Sequence, residues 1–185
     1  EAISFGIGID TTSVSTYTDS PQRYLDFVRD FGKTNITVPV TASWVSDGKD
    51  SFIYPTSGTM QRAGVEWALP GADLKYYRVT YQLQHFFPLN KTFALMVNGE
   101  FGMANGYGGQ GLPFYKNFYA GGIGSVRGFA TASLGPRDSL CTAGVCTPTD
   151  DRLGGNRRVI GNTELLWGVP YRRVIGNTEL LWGVP

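Results

Sequence analysis

The chain has 185 residues, 42% apolar and 17% charged, with 25 glycines and 10 prolines, the make-up of one folded domain and not of a disordered or collagenous chain. Sixteen Lys and Arg against 15 Asp and Glu leave a formal net charge of +1, so the dense positive field of a nucleic-acid-binding domain is lacking and no nucleic-acid partner is expected. No run approaches the roughly 18–20 apolar residues of a membrane-spanning helix, and no signal-peptide pattern is seen, which excludes a helical membrane protein but not a β-barrel, whose strands need only about 9–11 alternating residues.

Alternation is what the chain shows. Along 2–10, Ile3, Phe5, Ile7 and Ile9 share one face and Ser4, Gly6, Gly8 and Asp10 the other, the period of a strand. The next 20 or so residues (12–33) carry a helix signal instead. Ser20 can cap, Pro21 suits the first helical position, Tyr24, Phe27, Val28 and Phe31 repeat at helical spacing, and Gly32 can end the turn. One or two helical turns over 21–31, packed on a barrel rim, are predicted. Alternation resumes along 35–44, 60–67, 76–87, 92–104 and 158–167. In each, an unbroken apolar face (Val65 and Trp67; Tyr77, Val79, Tyr81 and Leu83; Val97 and Phe101; Val159 and Leu165) opposes a polar or small one (Arg62, Glu66, Arg78, Glu100, Glu164). Six amphipathic strands result.

Strand length, small or charged residues on one face, and aromatics near strand ends favour a membrane barrel over a soluble sandwich. Trp44, Tyr54, Trp67, Tyr76, Tyr77, Phe86, Phe87, Tyr107 and Trp167 are the candidates for interfacial girdles. Tight turns at 70–73 and 88–90 contrast with long connections at 12–33 and about 107–156. In an outer-membrane barrel, long loops face outward and short turns face the periplasm, so 70–73 is an exception to the alternation. Six strands cannot close in lipid, so the isolated chain is expected to need detergent and to associate.

Catalytic chemistry is sparse. The single histidine, His85, shares the apolar face with Leu83 and Phe87 and opposes no triad partner. The glycine spacing at 106–111 fits a dinucleotide loop, but Pro113 and aromatics follow where a helix would have to start. No enzyme activity, cofactor or metal is expected. Cys141 and Cys146, without a neighbouring His or Cys cluster, are predicted to form a disulfide in an oxidising compartment. Arg157 to Pro170 recurs letter for letter at Arg172 to Pro185. Natural repeats diverge, so 171–185 is read as an artefactual duplicate and 1–170 as the domain. A fold-back at 168–172 would let the copy cover an open strand edge.

The block Pro113-Phe114-Tyr115-Lys116-Asn117-Phe118-Tyr119-Ala120-Gly121-Gly122, followed by Val126-Arg127-Gly128-Phe129, resembles the outer-membrane-protein insertase family, BamA, within the wider superfamily of two-partner secretion translocases and mitochondrial sorting proteins. Tyr54 to Gly58, Leu69-Pro70-Gly71 with Tyr76-Tyr77, and Phe87-Pro88-Leu89 add matches in the family's order. The resemblance implies an all-β, antiparallel transmembrane barrel of sixteen strands. This chain would hold about the seventh to the twelfth of them, without the family's N-terminal periplasmic domains, first strands or closing strand. It implies a bacterial outer-membrane location and nucleotide-free insertion of β-barrel clients. The implied partners are unfolded outer-membrane β-barrel clients, accessory lipoproteins and the lipid bilayer. A two-partner secretion translocase or a passive pore is the alternative. The resemblance also implies that Arg127, on a loop folded into the lumen, reaches an acidic residue on a strand after the twelfth; with that strand expected to be missing here, Glu66, Glu100 and Glu164 are the available inward substitutes, with Glu100 preferred. Val126 and Phe129 are expected to pack the loop tip, and Gly128 to allow close approach to the wall.

Overall fold

The fold is that of a computed structural model. It describes the backbone of residues 1–17, 20–142, 145–169 and 171–182, and the side chains of these except 138–146, 148–149, 151 and 168–182. Seven antiparallel strands form one open sheet in the order β1 (Ala2–Ile7), β4 (Pro39–Asp47), β5 (Gly58–Ala68), β6 (Tyr76–Pro88), β7 (Phe93–Gly106), β10 (Arg157–Val169) and β11 (Tyr171–Trp182). The first six correspond to the six predicted strands: β5, β6, β7 and β10 run one or two residues beyond the predicted ends, whereas the first two are cut short or split. β11 is the duplicate, folded back antiparallel on β10 with Val169 opposite Tyr171.

Two predicted strands end early. The ladder between β1 and β4 breaks beyond Ile7↔Val40 and resumes in the same register as β2 (Asp10–Ser13) on β3 (Thr34–Thr37). Pro39 sits at the break. It has no N–H to offer the ladder, and only its carbonyl bonds, accepting from the Gly8 N–H at 3.1 Å. The β2–β3 hairpin therefore leaves the sheet as a separate two-stranded ribbon.

That ribbon is closed by α1 (Gln22–Phe31), longer than the predicted one or two turns. Ser20 does not cap it. Its Oγ instead accepts from the Tyr17 N–H, and the Pro21 carbonyl receives the first helical bonds from Tyr24 and Leu25. Gly32, at φ 82°, ends the helix as predicted. The connections 8–38, 69–75 and 107–156 all leave one rim of the sheet, and 48–57 and 89–92 leave the other. The short 69–75 turn belongs to the long-loop rim, where its Asp73 carboxylate accepts from the Ile36 N–H of β3 at 2.7 Å.

Period two sorts the side chains. Phe5, Val65, Tyr81, Phe101 and Val159 lie on one exposed apolar face, joined row by row through the registers Phe5↔Ala42↔Val65 and Tyr81↔Phe101↔Val159. The opposite face carries Glu66, Arg78, Asn98, Glu100, Arg158 and Glu164 and is covered from within by the 107–156 segment. Three aromatics assigned to girdles do not belong there. Tyr76 and Phe86 are buried on the inner face because they have opposite parity to Tyr77 and Phe87, and the Tyr107 hydroxyl donates to the Ala68 carbonyl. His85 sits on the outer face as predicted, its Nδ1 2.6 Å from the Thr59 hydroxyl and its ring on Phe87. The long connection also contains a hairpin the alternation did not reveal, β8 (Arg137–Thr142) with β9 (Val145–Arg152). Its register sets Cys141 opposite Cys146; the predicted bond between the two sulfurs lies outside the described side chains.

Candidate functional site: a loop held along the inner wall

The segment 107–129 starts at the long-loop rim and runs down the inner face. Pro113, buried at the entrance, leads into a single 3-10 turn over Phe114–Lys116. Phe114 packs on Tyr24 and Phe27 of α1 (ring centroids 4.2 and 5.4 Å), and Tyr115 meets Phe27 edge-on. With Leu74, Ala68 and Tyr76 these residues make an apolar cluster above the wall, fixing where the loop enters.

Below it the contacts become polar. Lys116 Nζ lies 2.6 Å from Glu66 Oε1 on β5, to which the Tyr76 hydroxyl also donates at 2.7 Å. Buried Asn117 donates from Nδ2 to the Leu153 carbonyl at 2.7 Å. Phe118 exchanges backbone hydrogen bonds with Gly155 at 2.8 Å in both directions. Tyr119 offers its carbonyl to Arg158 Nη1 at 3.1 Å, and the same guanidinium holds Glu100 at 3.0 Å. Gly121 and Gly122 both have positive φ (111° and 93°). The turn they make is tied by Ser125 Oγ to Gly121 and by the Gly122 N–H to the Phe129 carbonyl. Asn162 Nδ2 donates to the Ser125 carbonyl at 3.1 Å, Val126 is buried at 3% exposure, and Arg127 forms an ion pair with Glu164.

The wall partners appear in order of depth. From Arg158 to Glu164 on β10 the loop advances by six residues, about 20 Å of strand. All three inner carboxylates proposed from the sequence have a basic partner, but the preferred one was wrong. Glu100 is taken by Arg158, a near neighbour across the β7–β10 ladder, whereas the tip reaches further, to Glu164, whose side chain is 8% exposed. Two expectations for the tip also fail. Phe129 is 52% exposed and packs little. Gly128 has φ 86° and no atom within 4 Å of where a Cβ would stand, so it supplies the turn and not a close approach to the wall. Lys116, Arg158, Ser125 and Asn162 were not singled out as loop anchors from sequence. The inward parity of Arg158 and Asn162 was readable, but nothing local indicates which loop atom each would meet.

Among the described residues no group of His, Cys, Asp or Glu is arranged to hold a metal ion. The charges on the wall are used structurally. Glu66, Glu100 and Glu164 are each largely removed from water and offset by a guanidinium or ammonium, an arrangement that ties loop and wall together.

A family model described as the Omp85 superfamily domain matches residues 1–184. The chain is 38% identical over 92% of its length to the outer membrane protein assembly factor BamA of Neisseria meningitidis, and 30% identical over 78% to BamA of Neorickettsia risticii. It is 29% identical over 70% of its length to sorting and assembly machinery component 50 homolog A of Xenopus laevis. It spans about a fifth of the length of the BamA relatives (22% and 18%) and 26% of the Xenopus protein. The crystal structure of Haemophilus ducreyi BamA lacking POTRA domains 1–3 superimposes with a TM-score of 0.80 at 25% identity, covering 91% of this chain and 34% of that one. With its open antiparallel sheet, outward apolar face and lumen-bound loop, the chain belongs to the Omp85 superfamily and is a segment of an outer-membrane β-barrel.

Proposed function

We propose that this segment is the central wall and internal loop of a bacterial outer-membrane protein insertase, which folds unfolded β-barrel clients into the bilayer together with accessory lipoproteins and without nucleotide. The observation that carries the reading is the Arg127–Glu164 pair at the end of a loop held at several depths along the inner wall. The names of the relatives, an outer membrane protein assembly factor and a sorting and assembly machinery component, support the same reading.

Insertion of this kind needs no covalent step. A strand edge templates the incoming strand through main-chain hydrogen bonds, and what the rest of the barrel must supply is a wall that keeps its shape while the edge is in use. The strands β5, β6, β7 and β10, cross-linked by the loop through ion pairs at Glu66 and Glu164, supply such a wall. A passive pore is the weaker reading, because the loop lies along the inner face past which ions would have to pass. The activity is therefore mechanical and templating, not enzymatic.

The test is complementation of cells depleted of the native protein with the full-length protein carrying Arg127→Ala. Folded porins in the outer membrane should fall several-fold, and Arg127→Lys should restore them only in part, since a point charge cannot reproduce the guanidinium fork. Wild-type porin levels with Arg127→Ala would overturn the reading.

A further inference from the structure

The loop's midpoint rests on a seat that no charge pair explains. On the inner face, one row of the sheet runs Thr80↔Gly102↔Arg158 across β6, β7 and β10. Gly102 leaves the middle strand bare, and the ring of Phe118 fills that gap: a Cβ on Gly102 would stand 2.7–2.8 Å from Cε1 and Cζ of the ring. The two flanking strands then close over it. The guanidinium of Arg78, from β6, lies 4.4 Å from the ring centroid, and that of Arg158, from β10, lies 5.6 Å away. Phe118 is 4% exposed. The Nε atoms of both arginines are buried and have no hydrogen-bond acceptor among the described residues, so the ring packs against the Nε side of two guanidiniums, while Arg158 keeps its Nη bonds to Glu100 and Tyr119.

We propose that Phe118 in its Gly102 socket, clamped by Arg78 and Arg158, is the positioning element that sets the depth of the loop in the lumen and so brings Arg127 to Glu164. This rests on the insertase reading for its function but not for its geometry. Phe118 lies between the apolar entrance cluster and the tip. Its ring is seated directly on wall backbone at Gly102, and Arg158 joins the seat to Glu100 and to the Tyr119 carbonyl. If the ring shifts, the chain on both sides loses its register against β10. An ion pair tolerates such a shift because charges act at a distance, but a ring in a socket one glycine wide does not.

The test uses the full-length protein purified in detergent. Trypsin cleavage after Lys116, normally held against Glu66, reads the seat, and folded porin levels in complemented cells read function. Gly102→Leu should speed cleavage at least tenfold while the barrel keeps its heat-modifiable mobility, and porin levels should fall in parallel. Adding Gly102→Leu to Phe118→Ala should leave cleavage no faster than Phe118→Ala alone, because the leucine then enters the space the ring has left. Cleavage within about twofold of wild type for Gly102→Leu, or effects that multiply in the double variant, would overturn the socket. Should Gly102→Leu fail to fold, Phe118→Leu leaves the strand untouched and must show the same loss of protection, an unchanged rate again overturning the proposal. Lost protection with wild-type porin levels would overturn the positioning role. Because cleavage is read independently of assembly, failure of the socket and failure of the insertase reading, tested through Arg127, are separable.

Discussion

Glu164 sits where water barely reaches it, and the partly exposed Arg127 is the cation that offsets its charge. Removing the arginine strands a buried carboxylate, which costs more than the pair itself contributes. This asymmetry predicts a ranking. Arg127→Ala should loosen the loop by roughly 2 kcal/mol, whereas Arg127→Ala with Glu164→Gln should recover part of that loss, because the neutral amide no longer needs a cation. Hydrogen exchange of residues 121–129 in the full-length protein measures it. A double variant looser than Arg127→Ala would contradict the pairing. Asp50 shows the same economy on the opposite rim. Its carboxylate accepts from the Thr56 N–H at 2.8 Å, the Ser57 N–H at 3.2 Å and the Thr56 hydroxyl. The Thr56 hydroxyl bond is the main reason its pKa falls from 3.8 to about 2. Because the folded value is depressed, this support for the 48–57 turn is fully present above the unfolded value. It is lost as pH falls through about 2. The amides of Thr56 and Ser57 should therefore stay protected at pH 4 and lose protection between about pH 3 and 2, and Asp50→Asn should lose protection already at neutral pH.

At the scale of elements, the ladder between β1 and β4 continues into β2 and β3 across a proline, which lets the ribbon leave the sheet and carry α1 over the lumen. Phe27 is the point at which helix and loop meet. The β8–β9 hairpin presents a separate case. Its backbone register places Cys141 and Cys146 face to face, as cross-strand thiols must be to bond, and we expect the oxidised, denatured full-length protein to show no free thiol at these positions by mass spectrometry. Closing so short a span constrains the unfolded chain by only about 2 kcal/mol, so Cys141→Ser with Cys146→Ser should loosen the hairpin and leave barrel mobility on gels unchanged.

For the whole molecule, the outer face is the one the bilayer solvates. Phe101 lies near the middle of β7, 43% exposed in a continuous apolar surface. Phe101→Arg in the full-length protein should destabilise the barrel by about 2–4 kcal/mol if it faces the bilayer midplane. The same arginine at Asn98, on the inner face among polar groups, should cost far less. Urea titration of the folded barrel in lipid distinguishes the two, and equal penalties would mean that the faces are wrongly assigned.

How much of this was legible beforehand differs by physical cause. Alternation of large apolar and polar residues is local and strict, because one face meets hydrocarbon and the other does not. The six strands, their facing and the outward His85 therefore followed from the sequence by itself, whereas the loop block from Pro113 to Phe129 was legible through its family resemblance and not through any period. Parity could also name Glu66, Glu100 and Glu164 as inward carboxylates. It could not choose among them, because all three satisfy the same period. That choice depends on how far the loop descends, which is set by the Phe118 seat, by Arg158 reaching Glu100 first and by the glycine turn at 121–122. None of these leaves a periodic trace. Nor could local pattern show that the ladder breaks at Pro39 without changing register, or that the inward Tyr76, whose parity was readable, meets Glu66. Solvent preference is written residue by residue along the chain, whereas the partner of a buried charge is decided by strands brought together from distant parts of it, and only the tertiary structure does that.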